Sequence, residues 1–166
     1  MRDHTQNELN RLVGVLKPYQ GLRRRGTIED MIEFFEHTAD LGLRARAANL
    51  DDLFAEAARA LFSAVVEDLG TVVASQRLLI RVTGADKEFL LFDWLKALLY
   101  HFDAEHLLFS RFEVKVGADG LEGAAWGEPM DRARHELNHE VKAITLHGLK
   151  VEQLAEGWLA EVIVDI

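Results

Sequence analysis

The chain contains no cysteine. Disulfides, thiolate zinc sites and cysteine nucleophiles are thereby excluded, and any metal must be held by oxygen or imidazole ligands. Nor is there a run of about 18 uncharged apolar residues, the length a membrane-spanning helix needs. Asp3, Glu8 and Arg11 stand where a signal peptide would carry its apolar stretch. These absences predict a cytoplasmic protein with no membrane association. Basic residues are in deficit, with 19 Lys and Arg against 28 Asp and Glu for a formal charge of -9. A surface that grips nucleic-acid phosphates needs the reverse balance, so any RNA is expected to be met only indirectly, through a partner. No P-loop, no dinucleotide-binding GxGxxG and no GxSxG elbow occurs, which removes the commonest nucleotide-binding and hydrolase readings.

What remains is 166 residues, 49% of them hydrophobic, enough for one domain with a substantial core. Residues 1–30 differ in texture: Pro18, Gly21, Arg23, Arg24, Arg25 and Gly26 interrupt a weakly apolar start. They read as an N-terminal extension, either disordered or a mis-called start upstream of Met31. The other reading is an ordinary extension with a short amphipathic helix over Leu9, Leu12, Val13 and Leu16. The segment carries +2 by count and leaves -11 for residues 31–166.

From Ile32 the pattern predicts strand, turn and strand. Phe34 and Phe35 lead into a connection at His37–Asp40, after which Leu43, Ala45 and Ala47 alternate with Arg44 and Arg46. Asn49 is placed to cap a helix whose first turn holds Asp51 and Asp52, and Leu53, Phe54, Ala57, Ala58, Leu61, Phe62 and Val65 recur on one face of it. Leu78, Ile80 and Val82 mark a further strand. A second helix, from about Asp86 to Asp103, carries apolar residues around most of its circumference, Phe89, Trp94 and Phe102 among them, and is expected to be the central, largely buried helix. Phe112, Val114 and Val116 form a strand that turns at Asp119-Gly120, the favoured pair of a two-residue hairpin. A return strand over Leu121–Glu128 and two more, about Val141–Val151 and Trp158–Asp165, complete an α+β fold: a mostly antiparallel or mixed sheet of about six strands with two main helices.

Two patterns bear on chemistry. His135-Glu136-Leu137-Asn138-His139 spells HExxH, which on a helix would set two histidines one turn apart on a zinc ion with the glutamate as base. Only a short polar stretch separates Pro129 from the strand at Val141, too little for a buried site helix. A metal-dependent hydrolase built on His135, Glu136 and His139 is therefore the alternative. The second pattern is the chain end, where Asp165 precedes Ile166 and its α-carboxylate. Anionic groups so close repel unless a cation or a basic side chain compensates. If Asp40 approaches them from its loop, the cluster offers only oxygen ligands and suits Ca2+ or Mg2+/Mn2+ better than zinc. Periodicity does not show that they meet. Asp40 as a turn former and Asp165 at a frayed end is the other reading.

Five segments in order, Phe35-Glu36-His37-Thr38-Ala39-Asp40-Leu41-Gly42, Leu90-Leu91-Phe92-Asp93-Trp94-Leu95, Gly127-Glu128-Pro129 with Asp131, Glu140-Val141-Lys142-Ala143-Ile144-Thr145 and Val164-Asp165-Ile166, resemble the archease family from about residue 31 to the last residue. The resemblance implies that residues 31–166 form an archease-like domain. It further implies an activator, without a reaction of its own, of the GTP-dependent RNA-splicing ligase of the RtcB type, promoting guanylylation and multiple turnover in tRNA splicing or RNA repair. It places the family's divalent-cation site on Asp40, Asp165 and Ile166 and its functional lysine on Lys142, and it leaves His37, His135 and His147 as motif positions of undefined role. The chain departs from the family in carrying Leu146 where a tyrosine is usual, and Ala47-Ala48-Asn49 where a glycine often follows the second strand. A general chaperone-like interaction module is the remaining alternative.

Overall fold

The structure, a computed structural model, describes residues 31–37 and 40–166; the reading of residues 1–30 lies outside them. In chain order the elements are β1 (Met31–His37), β2 (Asp40–Ala47), α1 (Leu50–Val65), a 3-10 turn (Leu69–Thr71), β3 (Gln76–Thr83), α2 (Lys87–Glu105), β4 (Leu107–Val116), β5 (Gly120–Pro129), β6 (Ala143–Ile144), β7 (Lys150–Gln153) and β8 (Trp158–Asp165). They form two sheets with antiparallel pairing throughout. In the five-stranded sheet β8 is central, with β2 and then β1 on one edge and the short β6 and β7 sharing the other; the second sheet runs β3-β5-β4. The α+β class is as the sequence predicts, with more and shorter strands.

Helix α1 starts where the chemistry requires. The Asn49 side chain accepts the Asp52 amide at 2.9 Å, and Asp51 and Asp52 lie in the positive first turn. Contrary to the expectation, α1 and not α2 is the central helix. It packs against β2 and β4, so both sheets close on it, and Leu53, Phe54, Leu61 and Phe62 are fully buried. Each such side chain contributes roughly 1.5–3 kcal/mol by leaving water. Ala57, Ala58, Ala60 and Ala64 are buried too, and small residues let a helix approach two layers at once. Helix α2 buries only Leu90, Leu91, Trp94, Leu95, Leu98 and Leu99 and leaves Phe89 and Tyr100 58% and 63% exposed. Its aromatic content, spread around the circumference, was a poor guide because packing partners cover one side alone.

The two layers are keyed together by Trp94, fully buried, whose Nε1 donates to the Phe54 carbonyl at 3.1 Å. Its ring lies so close to Gly123 on β5 that a Cβ there would overlap it. The β4–β5 turn also differs from expectation. Gly117 and Gly120 pair through the Gly117 amide at 2.8 Å, so Ala118 and Asp119 are the turn residues. Among described residues His106 is the one non-glycine residue with positive φ, so no left-handed turn forms at Asp119. Gly120 is needed because a side chain would strike the Val82 carbonyl on β3. The single strand expected over Val141–Val151 is split: Gly148 adopts φ 64, and Thr145 brings both its amide (3.0 Å) and its hydroxyl (2.8 Å) onto the Ile163 carbonyl, which ends β6 and loops the chain before β7.

Candidate functional site: the acidic end of the five-stranded sheet

The β2–β8 ladder runs in unbroken register from Ala47 opposite Trp158 to Asp40 opposite Asp165. The register follows from the apolar alternation, since Leu41, Leu43, Ala45 and Ala47 on β2 and Ala160, Val162 and Val164 on β8 must all face the core. The other parity then carries Asp40 and Asp165 to the outer face as direct cross-strand neighbours, both partly buried. Opposed Cβ atoms in such a pair stand about 4.5–5.5 Å apart, and like charges there repel. On its other side Asp165 is paired with Ala143 of β6, and its carbonyl accepts the Lys142 amide at 2.8 Å. The Lys142 side chain is exposed; Ile166 follows Asp165 and packs its side chain partly against the core. The structure thus gathers Asp40, Lys142, Asp165 and Ile166 at one sheet end.

The neighbouring row of this face is apolar. Phe35 pairs with Gly42 and lies over it so closely that a Cβ on Gly42 would overlap the ring, with Ile163 next in line. One row further, complementarity returns. Arg44 donates to Glu33 at 2.9 Å and Glu161 at 3.0 Å and sits over the Phe35 ring. The hydrogen bond to Glu33, followed by that to Glu161, raises the Arg44 pKa against the cost of burial. The side-chain donors at the acidic end are two carboxylates, oxygen ligands of the kind a hard divalent cation takes. Among the described residues no three His, Cys, Asp or Glu side chains converge on one metal position.

The histidine positions fall elsewhere. His37 pairs through its backbone with Asp40 and lies outside the described side chains, and His147 is exposed in the loop before β7. His135 is the unexpected one. It is 2% exposed, its Nδ1 accepts the Asp131 amide at 2.9 Å, and the ring hydrogen therefore sits on Nε2, which faces Glu128 Oε1 at 2.9 Å and the Thr71 carbonyl at 3.2 Å. Glu128, itself 9% exposed, also accepts from the two terminal guanidinium nitrogens of Arg134 (3.1 and 2.9 Å) and from the Val73 amide (2.9 Å). Those bonds, Arg134 foremost, then Val73 and, against desolvation, His135, lower its pKa to about 2. The Ala133 amide and then Arg134 likewise lower Asp131. The HExxH letters do not form a helix. Leu137 makes an isolated bridge to Val66, and the Asn138 and His139 amides donate to the Val65 and Ala64 carbonyls. His135 has no nitrogen left for a metal, and the hydrolase alternative loses its geometry. Arg134 escaped the sequence reading; the one signal was its place between Asp131 and His135, after Glu128.

Comparison with known proteins agrees with this architecture. A profile of the archease protein family matches residues 32–166. The chain is 41% identical over 136 residues to Protein archease of Sulfurisphaera tokodaii, covering 81% of this chain and 97% of that one. It is 42% identical over 139 residues to Protein archease of Pyrococcus furiosus, with the same coverage of 81% and 97%. The solution structure of Methanobacterium thermoautotrophicum protein 1598 superposes with a TM-score of 0.72 at 38% identity over 81% of this chain and 98% of its own. A Thermotoga maritima archease, described as a possible chaperone, shares the fold at a TM-score of 0.55 and 19% identity, over 88% of this chain and 100% of its own. With a profile spanning nearly all the described residues and relatives at this identity, the chain belongs to the archease family.

Proposed function

We propose that this chain is an accessory protein, working in the cytoplasm, that holds a divalent cation, Ca2+ or Mg2+/Mn2+, on Asp40, Asp165 and the α-carboxylate of Ile166. There it activates an RNA-splicing ligase of the RtcB type with the help of Lys142. The observation that carries the reading is the cross-strand pairing of Asp40 with Asp165 beside the bonded Lys142 amide. Opposed carboxylates are an unfavourable arrangement that a cation converts to a favourable one. Bound there, the cation supplies positive charge and coordination positions that a carboxylate or phosphate of the partner can complete. Lys142, exposed at the rim, adds a mobile ammonium for the same anionic groups.

Membership of the family supports an accessory role, and the description of the Thermotoga protein as a possible chaperone points the same way. No described helix is long and apolar enough to cross a membrane.

The test is ligase guanylylation and RNA joining with sub-stoichiometric amounts of this protein. Stimulation by the unaltered chain and its loss in Asp40→Ala and Lys142→Ala, both folded, is the expected outcome. No rate change with the cognate ligase refutes the reading, as does full stimulation by the double variant.

A further inference from the structure

The chain between β5 and β6 is a strap without regular structure, yet it delivers Lys142 to Asp165. Its backbone is bonded at intervals. The Met130 amide donates to the His106 carbonyl at 2.7 Å, and the Asn138 and His139 amides take the Val65 and Ala64 carbonyls at 2.9 and 3.0 Å. Those two carbonyls belong to the last turn of α1, which has no intrahelical donors for them. Val141 is then buried at 2% exposure, and the Lys142 amide reaches the Asp165 carbonyl.

Only one side chain of the strap between Asp131 and Glu140 is buried, and it is polar: His135. Its partners come from three places, Glu128 on β5, Asp131 within the strap and Thr71 in the 3-10 turn after α1. The reciprocal bond from the His135 amide to the Asp131 carbonyl, at 2.7 Å, closes the loop on itself. Arg134 clamps the same Glu128 with its two terminal guanidinium nitrogens, and its Nε reaches Asp131 at 3.3 Å. A buried imidazole with both nitrogens engaged costs more to dislodge than any of the strap's exposed side chains.

We propose that Glu128, Arg134 and His135 are positioning residues. They lock the strap onto the end of β5 and the C-terminus of α1 so that Lys142 is presented at the acidic end of the other sheet. The lock lies on the three-stranded sheet and its product on the five-stranded one, so it ties the two sheets' functional geometry together without touching a cation or partner. The role assigned to Lys142 rests on the function proposed above; the lock itself is a statement about backbone order and is tested apart from it.

The experiment is residue-resolved amide hydrogen exchange on the full chain, unaltered and as His135→Ala, with Arg134→Ala as a milder variant that keeps the imidazole. The expected result is a loss of protection on the order of tenfold or more at Asn138, His139 and Lys142, with β2 and β8 amides between Leu43 and Val162 unchanged. A uniform loss across both sheets marks His135 as mere core support and overturns the proposal, and so does unchanged protection at Lys142. A double-variant cycle in the ligase assay adds the second readout: His135→Ala with Lys142→Ala should be no worse than Lys142→Ala alone. Additive losses overturn the positioning role. If exchange loosens as expected and neither substitution alters ligase stimulation, the lock stands and the ligase reading falls.

Discussion

Two rows on one face of the β2–β8 ladder obey opposite rules. At Arg44 opposite Glu161, with Glu33 behind, cross-strand charges alternate in sign and satisfy one another. At Asp40 opposite Asp165, the same register sets two carboxylates against each other at the sheet end, next to Ile166. The first row stabilises the sheet by itself. The second sets like charges side by side, and under the proposed function a bound cation adds favourable charge there. Glu128 shows that this chain can hold a sheltered carboxylate with its own donors. The rows differ in charge pattern, and the proposed cation site is what would make that a difference of role.

The largest effect should come from breaking the acidic row. Asp40→Ala is expected to lower affinity for Ca2+ or Mn2+, measured by calorimetry, on the order of a hundredfold or more. Affinity kept within a few-fold would remove the row's claim to be a site. A smaller loss, roughly tenfold, is expected from a short C-terminal extension beyond Ile166, which moves the α-carboxylate away while leaving both side chains in place. Unchanged affinity in that chain would take the free carboxylate out of the ligand set.

Stability sharpens the contrast. Without metal, Asp165→Asn should leave Tm unchanged or raise it, because it deletes one of two opposed charges. Arg44→Ala should lower stability by about 1 kcal/mol or less, the usual scale for a partly exposed ion-pair row, with cation affinity unaffected. Matching Tm changes in the two variants would erase the distinction between the rows. Glu128 gives the smallest and most specific signal, in acid. Its folded pKa of about 2 lies below the ordinary 4.5. The unfolded chain therefore takes up the proton first, so the contribution is full above about 4.5 and drains away as pH falls toward 2. Glu128→Gln should flatten the urea-midpoint profile in that window; an unchanged slope there would mean that the network does not hold the ionised form.

Much of this molecule is legible residue by residue. The Asn49 cap, the apolar stripe of α1 and the alternation along β2 are local patterns, and each appears where the spacing puts it. The misreadings share a cause. Helix α2 looked central because its own composition says nothing about which side a sheet will cover. The Val141–Val151 strand is split by the loop after Thr145, in which Gly148 takes a φ of 64 that no described strand residue has. Asp119 stays in the turn, but Gly120 falls in β5 opposite Thr83 of β3, where a side chain would strike the Val82 carbonyl. His135, by sequence a motif position of undefined role with a zinc-ligand reading only as the alternative, is buried in a polar network because the strap it sits on bonds to the end of α1.

The sequence by itself determined the α+β class, the helix start at Asn49, the inward face of β2, and, through five ordered segments, the family. Through the same resemblance it grouped Asp40, Asp165 and Ile166 as one site and singled out Lys142, while the residue pattern alone did not show that they meet. Only the tertiary structure set Asp40 opposite Asp165, put the Lys142 amide on the Asp165 carbonyl and joined Glu128, Arg134 and His135 in one network. The physical reason is that strand register is a long-range quantity. It is set when distant apolar faces bury against a common helix, and the outward residues then meet whatever that burial places opposite them.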